Sequence, residues 1–368
     1  MSSTFGIKNR YEEAHVSPNG PGDARPTAYQ ILKDNNVIGK FPDKTFLITG
    51  GSDGLGKETV RQLAKTGAKV WFTARNEEKA KKVLQELAEE GKKDAELKNA
   101  KIDFVLLDNS SLKSVKAGAE DFLKKSDQLN VLITNAGIAN IPYSLTEDGF
   151  ERTFATNHLA HFYLFSLLKP LLLKSSTPTF QSRVVTVAST AHNFSTVQVG
   201  NYDLKEPLKG VVDPLTALEK NDTDVGHYNP IVAYGQSKTA NIWMANEITR
   251  RFGSQGLQGL SVHPGNILTA GWSGMDKRVE DLFGPLVQQE VFQKVFKSVE
   301  QGAATQVLAA ISPEFEGKGG IYLDDAGVAK KIDDDAQSGV AGYKSWAYDV
   351  EGAKTLWVDS AKMVGVQE

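Results

Sequence analysis

Cysteine is absent from this 368-residue chain. That excludes disulfides, thiolate nucleophiles and cysteine-based metal sites. Histidine is sparse, with six residues scattered along the sequence. His158 and His161 stand three apart, but no nearby carboxylate completes a metal-ligand set. There is no block of basic residues, and the formal net charge is -3. Neither nucleic acid nor an anionic membrane surface is therefore an expected partner. Long apolar runs are missing too. The most apolar stretch, Leu159 to Leu173, is interrupted by His161, Lys169 and Pro170, so no integral membrane segment is expected. The first residues, Met1 to Gly22, are polar and lack the apolar core of a signal peptide. The expectation is a soluble cytoplasmic protein.

What is present is enough apolar material for a sizeable core: 40% hydrophobic residues against 24% charged. Short Val/Ile/Leu-rich runs alternate with segments of helical periodicity. Strands are expected at Lys44–Thr49, Val70–Thr73, Ile102–Leu107, Val131–Thr134, Val184–Ala188, Leu260–His263 and Ile321–Leu323. Helices are expected at Leu55–Lys65, from Asn76 to about Glu90, after Ser110-Ser111, and over Ala233–Arg251. Continuous apolar strands separated by helices predict an α/β protein: one Rossmann-type, doubly wound domain with a mainly parallel sheet of about seven strands. Two segments break the rhythm. Residues 1–42 form an extension, expected to be loose until about Thr27, ahead of a domain at 43–368. Residues 194–230 form a long insertion with Pro207 and Pro214, either an active-site flap or a surface decoration.

Directly after the first strand comes Thr49-Gly50-Gly51-Ser52-Asp53-Gly54-Leu55-Gly56. Glycines let the backbone approach a ligand closely, and the helix that follows presents free N–H groups and a positive dipole end. A tight turn with no ligand is the plain alternative. The position between strand and helix favours a pyrophosphate held by Gly50, Ser52, Gly54, Leu55 and Gly56. Asp53 would repel a phosphate if it pointed inward, so it is expected to point out. Arg75 closes the second strand, where an acidic residue would bind a ribose hydroxyl and an arginine can hold a 2′-phosphate. Unless Arg75 is a solvated surface residue, NADP(H) is preferred over NAD(H).

Tyr234 and Lys238 stand four apart on the long helix and share a face. A free tyrosine titrates near ~10, and a neighbouring ammonium should lower that value. Tyr234 could then exchange a proton with a carbonyl or alcohol oxygen. Taken alone, such a pair could equally be a surface contact.

The surrounding motifs resemble the short-chain dehydrogenase/reductase family, and most of all its retinol-dehydrogenase and WW-domain-oxidoreductase-like branch, without the WW domain. Thr49, Gly50, Gly54 and Gly56 match T-G-x-x-x-G-x-G, and Asn135-Ala136-Gly137 matches N-A-G. Pro264, Gly265 and Thr269 match P-G-x-x-x-T near the nicotinamide, and Asp108 stands where the family contacts adenine. The lead-in Thr27-Ala28-Tyr29-Gln30-Ile31 and the closing Leu356-Trp357 with Ser360 also fit, so the resemblance covers about residues 27–365. It implies a catalytic tetrad of Asn157, Ser189, Tyr234 and Lys238. Ser189 would polarise the substrate oxygen. Lys238 would also hold the ribose hydroxyls. The main-chain carbonyl of Asn157 would hold a water linking the lysine to solvent. Asn135, Ala136, Gly137, Pro264, Gly265 and Thr269 would contact the cofactor, with Asn135 more structural than chemical.

The leading expectation is hydride transfer between NADP(H) and a carbonyl or alcohol on a small molecule. Trp272, Met275, Phe283 and Leu286 suggest a bulky apolar substrate. Rivals are an isomerisation, epimerisation or cyclisation without net redox change, and a non-catalytic NADP-binding protein. His192 could line the pocket, and His158 reads as a packing residue. Phe162, Leu164, Phe165, Leu167 and Leu168 read as core or subunit contact. This fold often pairs through the helices carrying Asn157 and Tyr234, so a homodimer is compatible with the sequence.

Overall fold

The computed structural model describes residues 5–209, 227–268, 274–336 and 341–367. Among them the sheet has strands β1 (Thr45–Ile48), β2 (Lys69–Ala74), β3 (Lys101–Leu106), β4 (Val131–Thr134), β5 (Ser182–Val187), β6 (Leu257–Val262), β7 (Ile321–Asp324) and β8 (Gly327–Val328). Their order is β3-β2-β1-β4-β5-β6-β7-β8, parallel throughout except for the β7–β8 pair. The β8 strand was not anticipated, because two residues carry no periodicity.

Each strand is apolar on both faces because each face is covered. Phe46, Ile48, Val70, Phe72, Ile133 and Val185 point into one hydrophobic cluster, and Leu47, Trp71, Leu132 and Val184 into the other. The first is closed by α1 (Ala28–Asp34), α2 (Gly54–Ala64) and α3 (Glu77–Gly91). The second is closed by α4 (Leu112–Lys125), α5 (Ala160–Ser175) and α6 (Pro230–Phe252). Side-chain caps start these helices where polar residues precede the apolar periodicity. Asn76 accepts from the Lys79 N–H and Ser111 from the Ser114 N–H. Asn229 caps α6, with Pro230 in its first turn.

A C-terminal helix, α7 (Val350–Val364), lies across α5 and α6. Trp357 packs edge-on against Phe162 at 4.9 Å and Phe165 at 5.9 Å, and the hydroxyl of Ser360 bonds His158 at 2.9 Å. Phe162, Leu164, Phe165 and Leu168 are therefore core, and His158 is the packing residue expected.

Within the N-terminal extension, residues 5–27 are not loose. Asn9 donates to the Val328 carbonyl and accepts from its N–H, at 3.0 and 2.8 Å, closing the edge of β8 as a strand would. Arg25 is buried. Its guanidinium bonds Asp23 and the carbonyls of Gly20, Val295 and Phe296. Val328, Val295 and Phe296 lie some 270 to 320 residues away from these side chains in sequence, so local composition gave no sign of them.

Candidate active site

The glycine corner is built by backbone. Gly50 has φ +69° and Gly54 φ +50°, where a side chain is strained. The Gly50 N–H donates to the Thr73 hydroxyl at 3.1 Å, tying the turn to β2. Asn135 donates to the Thr49 carbonyl, and the Ala136 N–H to the Thr49 hydroxyl, both at 2.9 Å. Asn135 thus bridges the ends of β1 and β4. A Cβ on Gly56 would overlap the Gly50 carbonyl and stand 2.7 Å from the Asn135 amide nitrogen. The corner is closed from inside, with the N-terminus of α2 at its rim. That arrangement fits a phosphate-bearing ligand. Gly56→Ala should cost about 1–3 kcal/mol through overpacking. It should also weaken cofactor binding, as thermal unfolding and a cofactor titration would show.

Ser52, Gly54 and Leu55 lie on the partly exposed rim of this corner. Asp53 is exposed, and its carboxylate accepts from the Gly54 N–H at 2.7 Å, at the start of α2. Arg75 is exposed immediately beyond β2. Asp108, beyond β3, accepts from the Ser110 N–H and hydroxyl at 2.8 and 2.7 Å. Beyond β6, Gly265 has φ +99°, and the Lys297 side chain packs where its Cβ would be. Thr269 and Trp272 lie outside the described residues.

Four side chains come together where β4 and β5 end. Ser189 follows β5 and caps the 3-10 turn Thr190–Asn193, its hydroxyl accepting from the Ala191 N–H at 3.1 Å. That hydroxyl is also a hydrogen-bonding neighbour of the Tyr234 phenol. The Lys238 ammonium lies over the Tyr234 ring, 5.4 Å from its centre, and donates to the Val187 carbonyl at 3.0 Å. A Cβ on Gly137 would stand 3.5 Å from that ammonium and 3.2 Å from the Asn157 side-chain oxygen. Asn157 accepts from the Ile138 N–H and donates to the Ile138 carbonyl, both at 2.9 Å, pinning the loop after β4.

The expected acidification of Tyr234 by Lys238 is not found in the chain by itself. Burial pushes the phenol above its ordinary value, with the Ser189 hydrogen bond opposing, and pulls Lys238 down to about 8. Desolvation penalises phenolate and ammonium alike, and it is the largest cause of both shifts.

His161 is a site residue that the sequence reading passed over. The backbone opens into a π-helical turn over Ala155–Leu159, just before α5. His161 Nδ1 donates to the main-chain carbonyl of Asn157 at 2.9 Å. Its Nε2 lies 2.9 Å from both the Thr49 hydroxyl and the Asn109 amide nitrogen. One buried ring thus joins the glycine corner, the end of β3 and the tetrad asparagine. It also takes one of the two lone pairs of the carbonyl expected to hold a water. The four-residue spacing from Asn157 was the available signal.

On the other side of Tyr234, Leu204, Tyr228, Ile231, Val232, Ala233 and Val279 form an apolar cluster. Tyr143, Phe194, Leu208, Met275 and Phe283 pack against it. Both flanks of the 194–230 insertion meet the 275–283 segment there; residues 210–226 lie outside the described residues. Leu286 is half-buried and not part of this cluster. Beside Thr190, His263 and Gly265 opens a cavity of about 340 Å³, bordered by His15, Lys297, Asp325 and Phe292. No described helix is long and apolar enough to cross a membrane.

Residues 44–203 match the short chain dehydrogenase family model. Over 368 residues, all of this chain and 98% of the relative, the sequence is 44% identical to the short-chain dehydrogenase/reductase prx1 of Penicillium roqueforti. It is 32% identical over 328 residues to retinol dehydrogenase 12 of Mus musculus, covering 89% of this chain and 88% of that one. An uncharacterized protein from Mycobacterium paratuberculosis, solved by crystallography, superposes with a TM-score of 0.62 at 26% identity, covering 90% and 97% of the two chains. With the parallel sheet, the glycine corner and full-length relatives in agreement, the chain belongs to the short-chain dehydrogenase/reductase family, in its retinol-dehydrogenase-like branch, as a nicotinamide-dependent oxidoreductase of alcohols and carbonyls.

Proposed function

We propose that the chain interconverts a ketone or aldehyde and its alcohol with NADP(H), using Tyr234 as general acid and base. The observation that carries this reading is the meeting of the Ser189 and Tyr234 hydroxyls with the Lys238 ammonium beside a corner that only glycines can form. The bound nicotinamide supplies or accepts the hydride. In reduction, the Tyr234 phenol delivers its proton to the oxygen while hydride reaches the carbon, giving the alcohol. Burial keeps that phenol protonated at neutral pH, which suits the donor role. The Ser189 hydroxyl accepts from the Ala191 N–H, so its own hydrogen is the one it has to donate, to the Tyr234 phenol or to a substrate oxygen. Lys238 uses one donor on Val187 and keeps two for ribose hydroxyls. Gly137 and Pro264-Gly265 would border the nicotinamide, and Asp108 the adenine.

Arg75 would hold a 2′-phosphate; its exposure just beyond β2, with no carboxylate paired to it among the described residues, supports that role. The apolar cluster at the start of α6 favours a bulky apolar substrate, with residues 194–230 as a flap over it. The test is a panel of carbonyl compounds followed at the NADPH absorbance band, with NADH in parallel. NADPH should be consumed stoichiometrically and preferred, and Arg75→Glu should reduce that preference by about tenfold or more. Equal use of both cofactors, unchanged in Arg75→Glu, would overturn the NADP assignment. Turnover without NADPH consumption would overturn the redox assignment.

A further inference from the structure

We propose that His192 and His263 are positioning residues that clamp the peptide group between Ser189 and Thr190, and so fix where the Ser189 hydroxyl stands. This rests on the reading above that Ser189 polarises the substrate oxygen. A peptide group is planar, with its C=O and N–H on opposite sides. This one lies beyond the end of β5, past the strand ladder, and its carbonyl also accepts the His192 N–H of the 3-10 turn at 3.0 Å. His192 Nδ1 donates to the Ser189 carbonyl at 2.6 Å. The Thr190 N–H of the same peptide donates to His263 Nδ1 at 3.3 Å. Two imidazoles from different elements therefore hold the two sides of one plane, and the dihedral that aims Ser189 is set between them.

The two rings must be opposite tautomers. His192 faces a carbonyl, so its Nδ1 carries the proton; His263 faces an N–H, so its Nδ1 is bare. Both are buried, and burial holds them neutral, at about 4 and about 3. His192 is itself immobilised. The Tyr322 ring packs edge-on against it at 4.9 Å, and its carbonyl accepts from the indole of Trp346 at 2.9 Å. Its Nε2 is buried without a partner among the described residues. Phenylalanine would fill the same space without burying that nitrogen, so packing alone does not account for an imidazole there. The Nδ1–H bond to Ser189 does.

Four variants test the clamp: His192→Phe, which keeps the ring and removes the donor; His192→Asn, whose amide N–H can replace Nδ1–H; His263→Leu; and His263→Asn, whose oxygen can replace the bare nitrogen. Each is measured for NADPH binding, kcat and KM with a carbonyl substrate, beside Ser189→Ala. Displacing a reacting group by about 1 Å can cost about a hundredfold. His192→Phe and His263→Leu should lose tenfold or more in kcat with NADPH affinity retained, and the asparagine variants should recover most of it. If Ser189→Ala is impaired while His192→Phe and His263→Leu keep wild-type kcat, the clamp is wrong and the role of Ser189 stands. Failure of both asparagine variants to recover activity, with NADPH affinity intact, also rejects the clamp. If Ser189→Ala itself retains full activity, the reading of Ser189 fails first. Should His192→Phe or His263→Leu not fold, His192→Ala and His263→Ala, which also lack the clamping atoms, take their place, and full activity in both would reject the proposal.

Discussion

Replacing Tyr234 with phenylalanine will lower kcat by about a thousandfold while NADPH still binds. Positioned proton transfer is worth about 10²–10⁴ in rate, and the described site holds no second donor next to Ser189 that could substitute. His192 is turned onto the Ser189 carbonyl, and His158 and His161 are engaged with Ser360 and Asn157. Phenylalanine keeps the ring beneath the Lys238 ammonium, so the helix and the cofactor corner should be undisturbed. Steady-state kinetics and a fluorescence titration with NADPH separate the two quantities. Wild-type turnover in this variant would remove Tyr234 from the chemistry.

Shifting the pH from 7 to 5 will destabilise the folded chain by at least about 3 kcal/mol, because four histidines are buried and neutral. Burial lowers His158 and His263 to about 3, and His161 and His192 to about 4. In the unfolded chain each binds a proton near the ordinary ~6.5, which the folded chain refuses until far lower pH. The unfolded state therefore holds more protons throughout that window, and stability falls as pH falls. Each histidine contributes about 1.4 kcal/mol per pH unit below ~6.5. Two buried carboxyls act in the opposite sense. Burial raises Glu151 and Asp324, the latter to about 7, so each favours the folded state as pH falls. Four groups outweigh two, and the net sign is loss. Urea midpoints at pH 5, 6 and 7 measure it; a midpoint that stays flat would mean that these rings take up protons in place.

Residues 5–27 show where reading from sequence stops. Their composition is polar and carries no period, yet Asn9 completes the edge of β8 and Arg25 is buried among carbonyls of the 295–296 segment. Such contacts are side chain to backbone across most of the chain, and no local pattern encodes them. The same limit explains His161 and His263. Neither stands in a motif that names a role, and the meaning of each comes from what the ends of β1, β3, β5 and β6 bring to it.

The alternation of apolar strands with capped helices, the glycines after β1 and the four-residue spacing of Tyr234 and Lys238 are local, and sequence alone determined them. Periodicity, backbone freedom and helical geometry act over a few residues and need no partner from elsewhere. Which charge state each buried group holds was decided only by tertiary structure. Whether a phenol, an ammonium or an imidazole keeps its proton depends on how much water the fold removes and which partners it brings within hydrogen-bond reach. For Tyr234 that balance ran against the expectation drawn from its nearest charged neighbour in the helix.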